Sequence, residues 1–339
     1  MTVTLIVLLL FNCTSILFKN YFEKKINIYD FPNKRKIHKK KIPLSASIYL
    51  IINFLLIFFC DILFLDNFFL PEEIFYYYKS YFSLIFGCLF FFILGITDDK
   101  IRINPNTKLL LSVAVLYFLV SVDFNLKIEV IRLSFFYRDV PIVDFSTIFT
   151  VLCFALFINS FNMFDGINGQ AGLYAIFLFI LFSYYAFIVN ISIYFVIILL
   201  VFLYFNIKNK NFLGDGGTLF LSFFLGYFFV KFYNTRSNIE ADLIFIAMYL
   251  PGVDMFRLFI ERLFKLKNPF YPDNQHLHHL LLFNYGYAKT IFIILALFTY
   301  PFFLAILFDS NKAIIILLSL TIYVIFLFFL KKSSKTTRV

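Results

Sequence analysis

Two adjacent aspartates, Asp98 and Asp99, end an apolar run in "FFFILGITDDKIRINPNTK". Neighbouring carboxylates repel, and an acid near the middle of a bilayer costs roughly 2.5 to 3.5 kcal/mol on insertion scales, so the pair calls for a compensating cation. Three further polar stretches break apolar sequence in the same way: "NSFNMFDGINGQAG" (159–172), "NFLGDGGTLFLSFFLG" (211–226) and "NPFYPDNQHLHHLLL" (268–282). Asp98, Asp99, Asp165 and Asp215 offer hard oxygen donors. These suit Mg²⁺, which takes one or two carboxylates together with phosphate oxygens and water. Lys36, Lys108, His276, His278 and His279 offer groups that hold phosphate oxygens and offset charge on a leaving group. Gly214, Gly216 and Gly217 around Asp215 would let backbone approach a phosphate. The set suits phosphoryl transfer. Neither a Walker A nor a GxGxxG sequence is present, which argues against a soluble-type nucleotide fold.

The elements that must position these groups are membrane helices. The chain has 339 residues, 62% hydrophobic and 15% charged, with a mean hydropathy of +0.88, far from the balance of a soluble protein. Apolar runs predict about eleven transmembrane helices, near 3–18, 44–65, 81–96, 109–122, 142–160, 171–189, 191–205, 218–232, 243–264, 291–308 and 313–330. The expected class is all-α, a polytopic integral membrane protein forming one domain over 1–339. The first run, Val3 to Phe18, has no basic residue before it and no small-residue cleavage site after it, and reads as a retained helix. Cys13, Cys60, Cys88 and Cys153 all lie in apolar runs without CxxC spacing, against a disulfide framework or a zinc site. The net charge of +10 comes from residues beside the spans, which favours anionic lipid and phosphate over nucleic acid.

Charge fixes the expected orientation. If the side holding 19–41 is cytoplasmic, alternate polar segments hold 23 of the 30 lysines and arginines. An odd span count then puts the N-terminus outside and "KKSSKTTRV" inside, with all four polar stretches on the cytoplasmic face. Asp-Gly and Asn-Gly pairs are turn signals in their own right, and each stretch alone reads as caps and turns. Turn chemistry does not choose one side of a membrane, however.

In this order the motifs resemble the polyprenyl-phosphate N-acetylhexosamine-1-phosphate transferase family. The resemblance rests on Asp30, Pro32, Arg35, Lys36, His38 and Pro43 in "YDFPNKRKIHKKKIP", the Asp98–Asp99 pair with Pro105 and Lys108, the "NxxNxxDGxxG" block containing Asn159 and Asn162, "FLGDGGT", "PGVDMFRLFIERL", "NPFYPD" and "HLHH". It implies that Asp98 and Asp99 lie in the catalytic centre, Asp98 activating or orienting the lipid phosphate. Asp215, helped by Asn162, is implied as the Mg²⁺ ligand, with Mn²⁺ as a substitute. The turn from Asp165 to Gly169 would face the nucleotide, Asn168 contacting uracil, while Lys108 and the three histidines hold phosphates. The chain departs from the family in having Ala46 and Ser47 where Gly-Gly is common, which bears on close helix packing, and Asn168 where bacterial members commonly have aspartate.

The implied reaction moves N-acetylhexosamine 1-phosphate from a UDP-sugar to undecaprenyl phosphate in a bacterial inner membrane, releasing UMP, as the first step of a lipid-linked envelope glycan. Direct displacement and a covalent phospho-aspartate both fit these residues, and a homodimer is compatible with them. The rivals are the phospho-MurNAc-pentapeptide branch of the same family, whose histidine block differs from "HLHH", and an ion-coupled transporter. The transporter predicts ionisable residues at mid-membrane, where Asp61 is the one expected.

Overall fold

A computed structural model of the chain describes residues 10–14, 23, 27–32, 40–64, 69, 77–266, 274–308 and 311–336. Among the described residues ten helices follow one another: α1 Ala46–Phe64, α2 Tyr78–Ile101, α3 Pro105–Val122, α4 Ser146–Phe164, α5 Gln170–Tyr184, α6 Val189–Ile207, α7 Gly214–Thr235, α8 Ala241–Phe264, α9 Leu277–Leu307 and α10 Lys312–Thr336. Eight segments are long and apolar enough to cross a membrane, and Ala46–Asp61 and Gln170–Tyr184 are shorter apolar helices. These match ten of the eleven spans read from hydropathy. Most of the first, 3–18, lies outside the described residues, as do Lys36 and His38.

The protein is therefore an all-α multi-pass membrane protein. Among the described residues, strands are confined to two short antiparallel ladders. One pairs β1 (Tyr29–Asp30) with β2 (Ile42–Pro43) beside the start of α1, and the other pairs β3 (Val130–Leu133) with β4 (Phe136–Pro141) between α3 and α4.

Helix α7 is the axis of the bundle. Its sequence "TLFLSFFLGYFFVKFY" is apolar all round, the pattern of a helix surrounded by others, and residues Gly216–Tyr233 are all buried. Helices α1, α2 and α4 pack on it. In lipid, helices associate through close van der Waals packing, which small residues permit. Gly87 and Gly95 supply that on α2. A methyl group at Gly87 would overlap the ring of Phe223, and one at Gly95 would fall on the carbonyl of Asp215. Phe223 then stacks between Phe91, with centroids 5.0 Å apart, and Phe154, at 5.9 Å.

Because successive spans alternate in direction, the C-terminal ends of α2, α4, α6 and α8 lie with the N-terminal ends of α3, α5, α7 and α9. The four polar stretches thus meet at one end of the bundle. A run of hydrogen bonds ties this end together. Ala46 N–H donates to Asn211 Oδ1 (3.1 Å), Phe212 N–H to the Pro43 carbonyl (3.0 Å), Asn206 Nδ2 to the Asn211 carbonyl (3.0 Å) and Gly169 N–H to Asn206 Oδ1 (2.6 Å). Ala46 and Ser47, the departures from Gly-Gly, are both buried here, Ser47 against Gly216, so close packing survives them.

The opposite end is closed by a pair that hydropathy did not reveal. Lys231 of α7 donates to Asp123 at 3.0 Å and to Ser80 Oγ at 2.9 Å, with both ion-pair side chains 1% exposed. Ser83 completes it at 2.8 Å from the same Asp123 oxygen. Asp61 itself accepts the Phe69 N–H, while Lys231 and Asp254 are buried inside the bundle.

Candidate active site

Pro105 starts α3 at its first position, where a missing N–H costs nothing, and Asn104 caps it by accepting the Asn106 N–H. This start places Lys108 one turn inside the helix, pointing at the ends of α2 and α7. Its Nζ lies 2.7 Å from Asp98 Oδ2 and 2.7 Å from Asp215 Oδ2. The other oxygen of Asp98 accepts the Ile103 N–H at 2.6 Å, fixing the turn between α2 and α3.

Asp99 does different work from its neighbour. Its two oxygens accept the backbone N–H groups of Asp215 (3.0 Å) and Gly216 (3.1 Å). A carboxylate at a helix N-terminus satisfies free amides and meets the positive end of the helix dipole, so Asp99 caps α7 from another helix. Gly214 makes room for it: φ is +65°, and a side chain there would meet Asp99 Oδ2 at 2.6 Å. The repulsion between Asp98 and Asp99 is thus met by a lysine on one side and two amides on the other. The glycines around Asp215 were expected to admit a phosphate to the backbone, but the amides of Asp215 and Gly216 are already given to Asp99. Asp98 and Asp215 share one lysine, which brings the two carboxylates of α2 and α7 together.

Asn162 accepts from Thr218 Oγ1 at 2.5 Å, and the same hydroxyl lies 3.3 Å from the Asp215 carbonyl, so α4 is pinned to the first turn of α7. Asn159, one turn earlier, donates to its own helix at Ala155. Asp165 ends α4. Burial, with Asp215 and Asp99 adding like charge, pushes its carboxyl up to about 7. Asn168 stands at the edge, where Nδ2 donates to Asn209 (2.8 Å) and its carbonyl accepts from Tyr287 (3.0 Å).

The histidines form a stack leading to Asp165. His276 and His278 are parallel within 6° at a centroid distance of 5.4 Å, and His279 lies 4.3 Å from His278. The His278 ring covers Gly166, where any side chain would collide with it. Sequence reading missed the carboxylate behind them, Asp254, whose signal was an Asp-Arg pair at i,i+3 inside an apolar span. It also gave no role to Thr218.

The donor set is one that a hard cation accepts: several carboxylates and an amide oxygen, without thiolates. Among the described residues no three acids or histidines converge as a ready-made cage. A hard cation held here would take one or two of these carboxylates and draw its remaining ligands from phosphate oxygens and water.

Residues 81–233, which hold Asp98, Asp99, Lys108, Asn162, Asp165 and Asp215, match the model of glycosyl transferase family 4. The chain is 29% identical to an undecaprenyl-phosphate alpha-N-acetylglucosaminyl 1-phosphate transferase of Thermotoga maritima, over 84% of this chain and 83% of the relative. It is 23% identical to the Escherichia coli K12 protein of the same name, over 86% and 79%. A probable undecaprenyl-phosphate N-acetylglucosaminyl 1-phosphate transferase of Bacillus subtilis is 23% identical over 80% and 74%. With these motifs brought to one end of a helical membrane bundle, residues 81–233 match glycosyl transferase family 4, and most of the chain is similar to undecaprenyl-phosphate N-acetylglucosaminyl 1-phosphate transferases.

Proposed function

We propose that the protein transfers N-acetylglucosamine 1-phosphate from UDP-N-acetylglucosamine to undecaprenyl phosphate, releasing UMP, at the cytoplasmic face of a bacterial inner membrane. The observation that carries this reading is Lys108 bridging Asp98 and Asp215 at 2.7 Å each, where three helices meet at the basic end of the bundle. A lysine held between two carboxylates is a cation kept ready for phosphate oxygens. When they arrive it can re-pair with them while the carboxylates face a metal ion. Bound there, Mg²⁺ would neutralise charge on the diphosphate and the leaving phosphate, and Asp215 with Asn162 would hold it.

An oxygen of the lipid phosphate forms the new bond to the β-phosphorus, and the bond from that phosphorus to the bridging oxygen breaks, sending UMP away with the electron pair. A phosphate monoester is mostly dianionic at neutral pH, its second pKa being about 6. Asp98 therefore has more to orient than to deprotonate. Both its oxygens are engaged, by Lys108 and by Ile103 N–H, which supports a single in-line displacement over a phospho-aspartate. The histidine stack and the turn from Asp165 to Asn168 would hold the UDP portion.

Incubation of purified protein with Mg²⁺, undecaprenyl phosphate and a panel of UDP-sugars, with mass spectrometry of the lipid product, tests the reading. The expected product is the lipid diphosphate-sugar from UDP-N-acetylglucosamine, with UMP released in equal amount. Release of UMP without the lipid, or no release with any donor, rejects it.

A further inference from the structure

Asp254 of α8 is 3% exposed and is enclosed by hydrogen-bond donors. Oδ1 accepts from Arg257 Nη2 at 2.9 Å and from the Tyr323 hydroxyl at 2.7 Å. Oδ2 lies 2.9 Å from His276 Nδ1, and the Leu277 N–H is 3.2 Å from both oxygens. Arg257 Nε donates to the Tyr323 oxygen at 3.0 Å, which directs the tyrosine's own proton to Asp254. The other Arg257 bonds run to the Gln275 carbonyl, at 2.8 Å, and to Glu261, at 2.9 Å.

Three donors, from α8, α10 and the start of α9, thus fix a carboxylate against one ring nitrogen. With such neighbours the carboxylate is an acceptor throughout, so His276 fits it as an Nδ1–H donor, and Nε2 is the nitrogen left for a ligand. His276 stacks in parallel on His278, whose ring lies over Gly166 beside Asp165, so the His276 ring is two stacked contacts from the turn that follows α4. Rotation of the His276 ring would break both the Asp254 bond and the stack.

We propose that Asp254 is a positioning residue for the nucleotide sugar: it fixes the His276 ring, with Tyr323 of the last helix bracing the carboxylate, so that Nε2 meets a phosphate oxygen of the donor diphosphate. The proposal rests on the transferase reading above and adds a specific function for α10, which supplies no group to the aspartate–lysine centre. The same contacts would also arise if Asp254 only fastened α8, α9 and α10 together, and the test separates the two.

Rates of UMP release by the full-length protein are measured against UDP-N-acetylglucosamine at saturating undecaprenyl phosphate. Asp254→Asn is expected to raise KM about tenfold or more, the scale seen when the partner orienting a histidine is lost, with a smaller change in kcat. Because Asp254 acts through His276, the double variant Asp254→Asn/His276→Ala should be no worse than His276→Ala alone. Tyr323→Phe should shift KM in the same direction by less, and it stands in if Asp254→Asn fails to accumulate. Without any substrate, nitrogen-15 histidine spectra should show an Nδ1–H signal, assigned to His276 by its absence in His276→Gln, that disappears in Asp254→Asn. Additive losses in the double variant, an unchanged KM, or an Nδ1–H that survives Asp254→Asn would overturn the proposal. A wild-type protein that releases no UMP would reject the transferase reading, while the spectra still decide whether Asp254 holds His276.

Discussion

Asp99 caps the helix whose first turn holds Asp215: the carboxylate at the end of α2 accepts the N–H groups of Asp215 and Gly216 at 3.0 and 3.1 Å. The residue next to it, Asp98, turns to Lys108 instead. Adjacent acids of one type therefore divide into one that builds the centre and one that faces its chemistry.

The cap predicts a graded loss. Asp99→Asn keeps one acceptor for two amides and Asp99→Ala keeps none, so thermal unfolding in detergent should rank wild type above Asn above Ala. Removal of a capping side chain costs about 1 to 2 kcal/mol. Equal melting of all three would mean that α7 does not depend on this carboxylate.

Asp215→Asn preserves volume and leaves its backbone N–H with Asp99, so insertion and melting should stay near wild type. Loss of one group that stabilises transition-state charge costs about 3 to 4 kcal/mol, on the order of 10² to 10³ in kcat. Turnover within a few-fold of wild type at limiting Mg²⁺ would move the metal assignment to Asp98 and Asp99.

Asp165 predicts a pH dependence. Its carboxyl is raised to about 7 in the folded protein, against about 3.9 in an unfolded chain. Between those values the folded state holds a proton that the unfolded state has released. Its contribution to stability is therefore full in acid and is lost as pH rises from about 4 through about 7. Melting of the metal-free protein across this range should fall less steeply in Asp165→Asn than in wild type. Identical slopes would show that Asp165 ionises freely.

How much of this was legible beforehand differs by feature. Span positions were, because apolar runs of this length have no other use, and so was the gathering of polar stretches at one end, since charge bias orients every loop at once. Pairing was not. Nothing in "DD" says that Asp98 meets Lys108 while Asp99 meets an amide. The split arises because side chains one residue apart on a helix point about 100° apart, toward different neighbours. Lys231 lay hidden inside an apolar run because hydropathy averages over a window. The amide of Asn168 donates to Asn209, a neighbour made by the fold and 41 residues away in sequence.

Orientation can be read directly. In a variant lacking Cys13, Cys60, Cys88 and Cys153, cysteine at Tyr137, fully exposed in β4, should react with an impermeant thiol reagent added to intact cells. Cysteine at Lys100, exposed beside the aspartates, should react only after the membrane is opened. The reverse pattern would invert the topology.

The Lys231–Asp123 pair has a consequence for how such a chain can drift over generations. Removing either partner strands a charge in a dry interior, a loss of about 3 to 5 kcal/mol, whereas replacing both by apolar residues of similar volume is often neutral or stabilising. Selection should therefore act on positions 231 and 123 as a unit. A lineage leaves this state by changing both together, or by first acquiring stability elsewhere, and relatives should have both charges or neither.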